Sequence, residues 1–218
     1  MLEIKSFNFG SFGTNTYVVS SKAQAGNGGT VLLIDPACSS PYEQQMLLHY
    51  VNSLPFREGQ GLGLQILATH GHLDHLWGAA WACEQWHTPV LMHEADIPMA
   101  KAMQAQYDLF GIGGTPVPFP LEPITNDSLP LGRAGVGFSL LSTPGHTPGS
   151  VCFYFPEDGV LFSGDTLFQM GYGRTDLPGG DIRQLWRSLD LLLALPPETV
   201  VYPGHGAPTT IAAERRRW

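Results

Sequence analysis

Three histidines and one aspartate fall within six residues of this 218-residue chain, directly after a short apolar stretch. The apolar stretch, residues 64–68, has the length and the Leu and Ile content of a buried strand. Residues 69–75 follow it with the sequence Thr-His-Gly-His-Leu-Asp-His. A single surface or core histidine would need no explanation, but three with a carboxylate at the end of a strand are typical of a metal site. The sequence therefore predicts a strand that ends in metal ligands.

The spacing within this segment predicts ligands for two adjacent metals. His70 and His72 are two residues apart, so on an extended chain their side chains point to the same side. The chain then turns, and Asp74 and His75 project from the start of a helix toward a second position. Imidazole and carboxylate groups are the ligands expected for zinc, iron or manganese.

Three further candidate ligands lie downstream, each after an apolar segment of strand length. His146 lies in a turn rich in Pro and Gly, which would hold its imidazole in place. Asp165 follows Val160-Leu161-Phe162, and a carboxylate there could bridge two cations. His205 follows Val200-Val201-Tyr202. Together with the first segment they make five histidines and two aspartates, the complement for two metal ions.

Strand-length and helix-length segments alternate along the chain and predict an α/β layered domain. Strands are predicted at the N-terminus and at 31–34, 64–68, 90–92, 136–141, 150–155, 160–163 and 199–202. Helices are predicted at 41–54, 74–86, 94–109 and after Asp181, a plausible N-cap for a helix with an apolar face of leucines. A loop is predicted at 111–120. Without an internal repeat or linker, residues 1–218 are expected to form a single domain.

Composition excludes several classes of partner. The net charge is −8 and only 14% of residues are charged, which argues against nucleic acid as a partner. No apolar run is long enough to span a membrane, and the N-terminus lacks the features of a secretion signal. The three cysteines have no paired spacing. We therefore expect a cytoplasmic protein that acts on a small molecule.

Four motifs resemble, in order and spacing, the metal motifs of the metallo-β-lactamase superfamily: residues 69–75, 144–147, 163–166 and 203–205. Residues 173–181 and 204–210 resemble the small bacterial glyoxalase II-like hydrolases. The resemblance extends from about residue 17 to residue 210. It implies a four-layer αβ/βα sandwich, with two facing mixed sheets, helices outside and the metals at one edge.

The resemblance also implies two metal positions that share one ligand. The ligands of the first metal would be His70, His72 and His146. The second metal would be held by Asp74, His75 and His205, and Asp165 would bridge both. Two divalent ions are expected, zinc first, with iron or manganese as alternatives.

The reaction implied is hydrolysis of a thioester, such as an S-2-hydroxyacylglutathione, by a hydroxide that bridges the two metals. Asp74 and Asp165 are the predicted catalytic residues because they would hold the metals that activate it. The alternatives are an iron-dependent persulfide dioxygenase with one metal and a lactonase of the same fold. Arg174 would either bind a substrate carboxylate or pair with Asp176 or Asp181. Asp35 would either orient a ligand imidazole or be an ordinary turn residue.

Overall fold

Two β-sheets face each other, and helices cover the outer side of each sheet. The computed structural model describes residues 2–21, 31–54, 64–124 and 137–217. One apolar cluster lies between the two sheets. A second cluster lies between the first sheet and its helices, and a third lies between the second sheet and its helices. This arrangement confirms the predicted four-layer αβ/βα sandwich. That residues 1–218 form one domain stays a prediction.

The first sheet has six strands in the order in which they occur along the chain. They are β1 (Leu2–Phe9), β2 (Thr14–Ser21), β3 (Val31–Ile34), β4 (Leu64–Leu67), β5 (Val90–His93) and β6 (Leu121–Ile124). The pairs β1–β2 and β2–β3 are antiparallel, whereas β3, β4, β5 and β6 are parallel. The parallel strands therefore end at one edge of the sheet, where the histidine-rich segment follows β4.

The second half of the chain forms the other sheet and a small ribbon. Its strands are β7 (Ser139–Ser142), β8 (Val151–Phe155), β9 (Val160–Gly164), β10 (Leu167–Phe168), β11 (Gly171–Tyr172), β12 (Val200–Pro203) and β13 (Thr209–Thr210). The sheet order is β13-β12-β9-β8-β7, and β10 pairs with β11 separately. Because β9 and β12 run parallel, both strands end at the same edge of the sheet, and the residues that follow them lie at that edge. The strand predicted at 136–141 is observed from Ser139, and Val136 lies outside the described residues.

Seven α-helices and a 3-10 turn at Glu94–Asp96 lie in the described parts of the chain. The helices are α1 (Pro41–Ser53), α2 (Leu73–Leu76), α3 (Ala79–Trp86), α4 (Ile97–Lys101), α5 (Met103–Leu109), α6 (Ile182–Leu193) and α7 (Ile211–Arg215). Ser40 and Glu43 form a capping box at the start of α1, and Asp181 caps α6 as predicted. None of these helices has the length and apolar character needed to cross a membrane.

Strands buried on both faces explain the layered core. Successive side chains of a strand point to opposite faces. In β3, Val31 and Leu33 belong to the apolar cluster that includes residues of helices α1 to α5, whereas Leu32 and Ile34 belong to the cluster between the two sheets. Leu161 of β9 faces the opposite way and packs with the leucines of α6. The uninterrupted apolar runs of the sequence are therefore the central strands.

The single helix predicted at 74–86 is wrong, because the chain forms α2 and α3 with a break at Gly78. The backbone N–H of Gly78 donates to the Pro36 carbonyl at 2.8 Å. A Cβ atom at Gly78 would lie 2.3 Å from the Cys38 Sγ atom. The close approach of the loop that follows β3 therefore separates the two helices. The helical spacing of apolar residues in the sequence does not predict such a contact.

The helix predicted at 94–109 is also wrong as a single element. Pro98 lies in the first turn of α4, where its missing N–H costs nothing, and it favours a new helix start there. Ala102 has φ −87° and ψ 30°, which separates α4 from α5. The backbone before α4 is instead a 3-10 turn that brings the Asp96 side chain inward.

Leu189 and Leu191 of α6 differ in burial, with exposed fractions of 2% and 46%. We expect Leu189→Ala to lower the free energy of unfolding by about 2–5 kcal/mol, because it leaves a cavity in the core. Leu191→Ala, the matched control, should change it by less than about 0.5 kcal/mol. Urea unfolding followed by circular dichroism measures both, and equal losses would contradict the assignment of the apolar face of α6.

Candidate metal centre

The seven predicted ligands converge at one edge of the sandwich, at the ends of strands from both sheets. The first sheet supplies the segment after β4, which carries His70, His72, Asp74 and His75. The second sheet supplies the other three ligands, from the loop between β7 and β8, the end of β9 and the end of β12. They are His146, Asp165 and His205. The candidate site therefore depends on how the two sheets face each other.

Among the residues that the structure describes, three groups of potential ligand atoms have all their members within 4.8 Å of one another. The groups are His70, His72 and His146; His70, His75 and Asp165; and Asp74, His75 and His205. The first and third groups match the two ligand sets implied by the sequence resemblance. Within the first, His72 Nδ1 lies 2.8 Å from His146 Nε2. Such imidazole crowding favours a shared cation over separate hydrogen bonds.

The Asp165 carboxylate lies between the two groups. Its Oδ1 atom is 3.2 Å from His75 Nε2, and its Oδ2 atom is 3.5 Å from both His146 Nε2 and His205 Nε2. Asp74 Oδ2 completes the second group at 3.2 Å from His205 Nε2. Asp165 thus has the position required of a carboxylate that contacts two cations.

Two candidate ligand atoms at the centre of the cluster are buried and make no hydrogen bond: His70 Nε2, and Asp165 Oδ1, which has only its ion-pair contact with His75 Nε2 at 3.2 Å. Buried polar atoms are almost always hydrogen-bonded, because an unpaired one costs free energy. Both atoms point into a site composed of imidazole and carboxylate groups, which are ligands for divalent metals. The residues present therefore fit a metal-binding role.

The electrostatics of the first group favour the protonation state that a metal requires. Burial lowers the pKa of His72 to about 3, and the neighbouring His146 adds to this effect. Burial, together with His75 and His146, also lowers the pKa of His70 well below its usual value. These rings are therefore neutral and able to donate a lone pair.

The second group holds a different charge balance. Burial alone would lower the pKa of His75, but Asp165, Asp74 and Asp35 outweigh it and raise that pKa well above its usual value. Burial likewise favours a lower pKa for His205. The hydrogen bonds that His205 makes to the carboxylates of Asp165 and Asp74 outweigh this effect and raise the pKa to about 9. Protons on His75 and His205 therefore balance the negative charge of the neighbouring carboxylates, and a bound cation would replace these protons.

Asp35 holds the first ligand segment against the end of β3. Its carboxylate accepts hydrogen bonds from the Thr69 backbone N–H and hydroxyl, both at 2.7 Å. Its Oδ2 atom also lies 2.9 Å from His75 Nδ1. Of the two readings of Asp35 from the sequence, the contact with an imidazole is the one observed. Such a contact fixes the ring so that Nε2 faces the metal position.

Asp96 and Gln106 hold the same segment from its other side, and sequence reasoning missed both. Asp96 is fully buried, and it accepts hydrogen bonds from the backbone N–H groups of Gly71 and Gly149 and from the Thr147 hydroxyl, at 2.8, 2.6 and 2.7 Å. It thereby joins the His70 segment to the His146 turn. A lone Asp after a strand gave no signal beyond its position at a strand end.

Gln106 acts on the adjacent peptide groups. Its Oε1 atom accepts from the Leu73 N–H at 2.9 Å, and its Nε2 group donates to the carbonyls of Gly71 and Met99 at 2.9 and 3.1 Å. Sequence reasoning placed Gln106 on a helix but gave no sign of this contact. The backbone between His70 and Asp74 is thus held by side chains from α5 and from the 3-10 turn that follows β5.

The β1–β2 hairpin holds the His205 loop. The Asn15 side chain donates to the carbonyls of Pro203 and Gly206, at 3.0 and 2.8 Å. The Tyr17 hydroxyl donates to the same Pro203 carbonyl at 2.6 Å. Thr14 donates to Asp74 Oδ2 at 2.8 Å. The sequence assigned no role to Asn15 or Tyr17, because the contact spans about 190 residues.

A glycine before His205 lets the ligand loops approach closely. A Cβ atom at Gly204 would lie 2.1 Å from Asp165 Oδ1 and 2.7 Å from the His75 ring. Any side chain there would therefore displace two candidate ligands. This lack of space explains why a glycine precedes the histidine in the 203–205 motif.

Arg174 pairs with Asp176, which is one of the alternatives derived from the sequence. Its Nε and Nη2 atoms donate to the two Asp176 carboxylate oxygens, each at 2.6 Å. Arg174 also lines the cavity at the metal centre, which has a volume of about 380 Å³. Its backbone carbonyl lies 2.7 Å from His146 Nδ1 and orients that ring. That its side chain binds substrate stays a prediction.

Comparison with known proteins agrees with the motifs. Residues 10–205 match the family model described as the metallo-beta-lactamase superfamily. The hydroxyacylglutathione hydrolase GloC of Haemophilus influenzae is 39% identical over 155 residues, which cover 69% of this chain and 72% of GloC.

Solved structures show the same similarity over nearly the whole chain. The crystal structure of TTHA1623 in a di-iron-bound form is 35% identical, with a TM-score of 0.80 and coverage of 97% of both chains. The crystal structure of ETHE1 from Myxococcus xanthus is 28% identical, with a TM-score of 0.70, and the match covers 98% of this chain and 82% of that one.

Asp96→Asn tests whether this buried carboxylate holds the ligand loops. The amide would turn an N–H group toward at least one of the three donors, so we expect the free energy of unfolding to fall by about 1–3 kcal/mol. Zinc affinity should fall about 10- to 100-fold, because two ligand loops lose their common anchor. Urea unfolding and competition with a chelating dye measure the two effects.

The matched control is Asp190→Asn on the exposed side of α6. It should leave both quantities unchanged. An Asp96→Asn protein with the stability and zinc affinity of the control would show that the loops are held without the carboxylate.

Proposed function

The chain belongs to the metallo-β-lactamase superfamily and is a metal-dependent hydrolase of the glyoxalase II-like type, and we propose that its substrate is a thioester. The observation that carries this proposal is the pair of adjacent ligand groups with the Asp165 carboxylate between them. Such a pair suits two divalent ions that act together on one water and one carbonyl group. The similarity to GloC, which is named a hydroxyacylglutathione hydrolase, supports the thioester as the substrate class.

The proposed ligands fall into two sets, one for each metal ion, which follow the groups of neighbouring ligand atoms. The first ion would be held by His70, His72 and His146 and the second by Asp74, His75 and His205, with Asp165 shared. When bound, the two ions would lower the pKa of a water between them and polarise the substrate carbonyl. Asp74 and Asp165 are the proposed catalytic residues, since their carboxylates bring negative charge to the second and the shared position.

The remaining residues position these ligands and shape the cavity. Asp35 holds the His75 ring, and the Arg174 carbonyl holds the His146 ring, so that each presents Nε2 to the centre. Among the described residues that line the cavity, none is Lys or Glu. A thiolate leaves without a proton from a general acid, so a thioester does not require either residue type in the lining.

Zinc is the metal we propose first. The ligands contain no thiolate, and sites of this type also bind iron or manganese. The di-iron form of the similar protein TTHA1623 shows that such a fold accepts two iron ions. Metal analysis of the purified protein identifies the ions, and the thioesterase proposal does not depend on their identity.

A second candidate function is oxidation of a persulfide by a single iron. It is favoured by the first ligand group, which is complete without the second, and by the similarity to ETHE1. The Gly-Arg-Thr-Asp sequence at 173–176 also resembles the persulfide dioxygenases. Oxygen uptake with glutathione persulfide, in the absence of thioester hydrolysis, would select this reaction.

Asp165→Ala tests the two-metal thioesterase. We expect the zinc-loaded wild-type protein to hydrolyse S-lactoylglutathione, and the variant to lose at least about a thousandfold in kcat/KM, because the shared carboxylate is gone. Zinc content, measured by mass spectrometry, should fall from two ions to one or fewer per chain. Hydrolysis is followed by the loss of thioester absorbance.

Asp190→Ala is the control for this experiment, since its side chain is exposed on α6 away from the site. It should keep both the zinc content and the activity of the wild type. Full hydrolytic activity in Asp165→Ala would overturn the two-metal scheme. A fully metallated wild-type protein that hydrolyses no thioester would overturn the proposed reaction.

A further inference from the structure

A second cavity, of about 350 Å³, adjoins the metal centre on its His72 side. It shares His72, Phe110 and Leu177 with the cavity that contains the metal ligands. We propose that this second cavity, called the apolar cleft below, binds an uncharged apolar substituent of the substrate. This inference rests on the proposed thioesterase function, and it narrows the substrate class to thioesters with hydrocarbon or aromatic groups.

The walls of the apolar cleft are almost entirely carbon. Besides the three shared residues, they are formed by the side chains of α4 and α5 and by the 177–178 turn, including Met99, Ala102, Ala105, Leu109 and Pro178. The amide of Gln106 also lines the cleft, but both of its N–H groups donate to backbone carbonyls. The cleft thus offers a ligand apolar contact and few hydrogen bonds.

Large apolar side chains are exposed where the apolar cleft opens. Leu109 is 58% exposed and Phe110 is 38% exposed. Phe12 packs edge-on against Phe110 at a centroid distance of 5.8 Å and belongs to the metal-site cavity. Contiguous exposed apolar surface next to a catalytic centre is typical of a ligand site. The direct continuity with the metal centre identifies the occupant as part of the substrate.

The charges around the two cavities give an anionic carrier no advantage over a neutral one. Among the described residues that line them, Arg174 is the sole Lys or Arg. Its charge is balanced by the bidentate pair with Asp176. Asp74 and Asp165 add negative charge, although bound metal ions would offset it. A thiol with several carboxylates, such as glutathione, therefore gains no ion pair from a free Lys or Arg of the described lining, whereas a neutral apolar group needs none.

Binding of thioethers tests the inference without turnover. S-methyl- and S-hexyl-N-acetylcysteamine cannot be hydrolysed, and their Kd values for the zinc-loaded protein are measured by calorimetry. We expect the hexyl compound to bind at least tenfold more tightly, since each buried CH₂ group tightens binding about fourfold. S-hexylglutathione should bind no more tightly than S-hexyl-N-acetylcysteamine.

Ala105→Trp fills the apolar cleft and should remove most of the hexyl preference. Ala105 is exposed on α5, and the matched control is Ala194→Trp at the exposed end of α6, which should keep that preference. Leu109→Asp, at a 58% exposed position, should cause the same loss as Ala105→Trp and guards against a folding defect in that variant. Thermal unfolding verifies that each variant is folded.

Hydrolysis of S-acetyl- and S-hexanoyl-N-acetylcysteamine, measured in parallel, separates the two proposals. Equal Kd values for the methyl and hexyl thioethers, with both thioesters hydrolysed, would overturn the apolar cleft and leave the thioesterase standing. A hexyl preference lost in Ala105→Trp, with neither thioester hydrolysed, would support the apolar cleft and overturn the thioesterase. Tenfold tighter binding of S-hexylglutathione than of the neutral hexyl thioether would also overturn the inference.

Discussion

Crowding of imidazole and carboxylate groups at one buried edge is the constraint on which the rest of this structure depends. Burial of such groups costs free energy, so the backbone that carries them must be held by other contacts. Two buried carboxylates supply these contacts. Asp35 binds the backbone and hydroxyl of Thr69, and Asp96 binds Gly71 and Gly149. Each is itself satisfied by several donors, which makes its burial tolerable.

The candidate metal centre also joins the two sheets of the sandwich. One sheet carries the segment from His70 to His75, and the other carries His146, Asp165 and His205. The hydrogen bond from Tyr17 to the Pro203 carbonyl links the sheets just beneath the ligands. Ligand binding that requires both sheets stabilises the native packing by mass action, because the unfolded chain lacks the assembled site. Metal binding at this site would therefore be coupled to the packing of the two sheets.

Local patterns predicted the candidate ligands and most strands, but they did not reveal contacts between residues far apart in the sequence. The period of two placed His70 and His72 on one side, and the N-cap of α6 at Asp181 followed from residue type. The split at Gly78 did not follow, since it depends on Cys38, forty residues earlier. The role of Asp96 also escaped, because its partners lie on two separate loops. A residue whose role depends on hydrogen bonds to distant parts of the chain is not marked by any periodic pattern in the sequence.

The residues around the centre, rather than the ligands, carry the information about substrate. The proteins similar to this chain include a hydroxyacylglutathione hydrolase and ETHE1, so the fold by itself cannot select an acyl group or a thiol. Selectivity requires groups that differ in their contacts with competing substrates. Here those groups are the Arg174–Asp176 pair, whose charges cancel, and the apolar surface of α4 and α5. A site with balanced charge and a carbon-lined cleft distinguishes substrates by their apolar area, because burial of that area is the main contact it can offer.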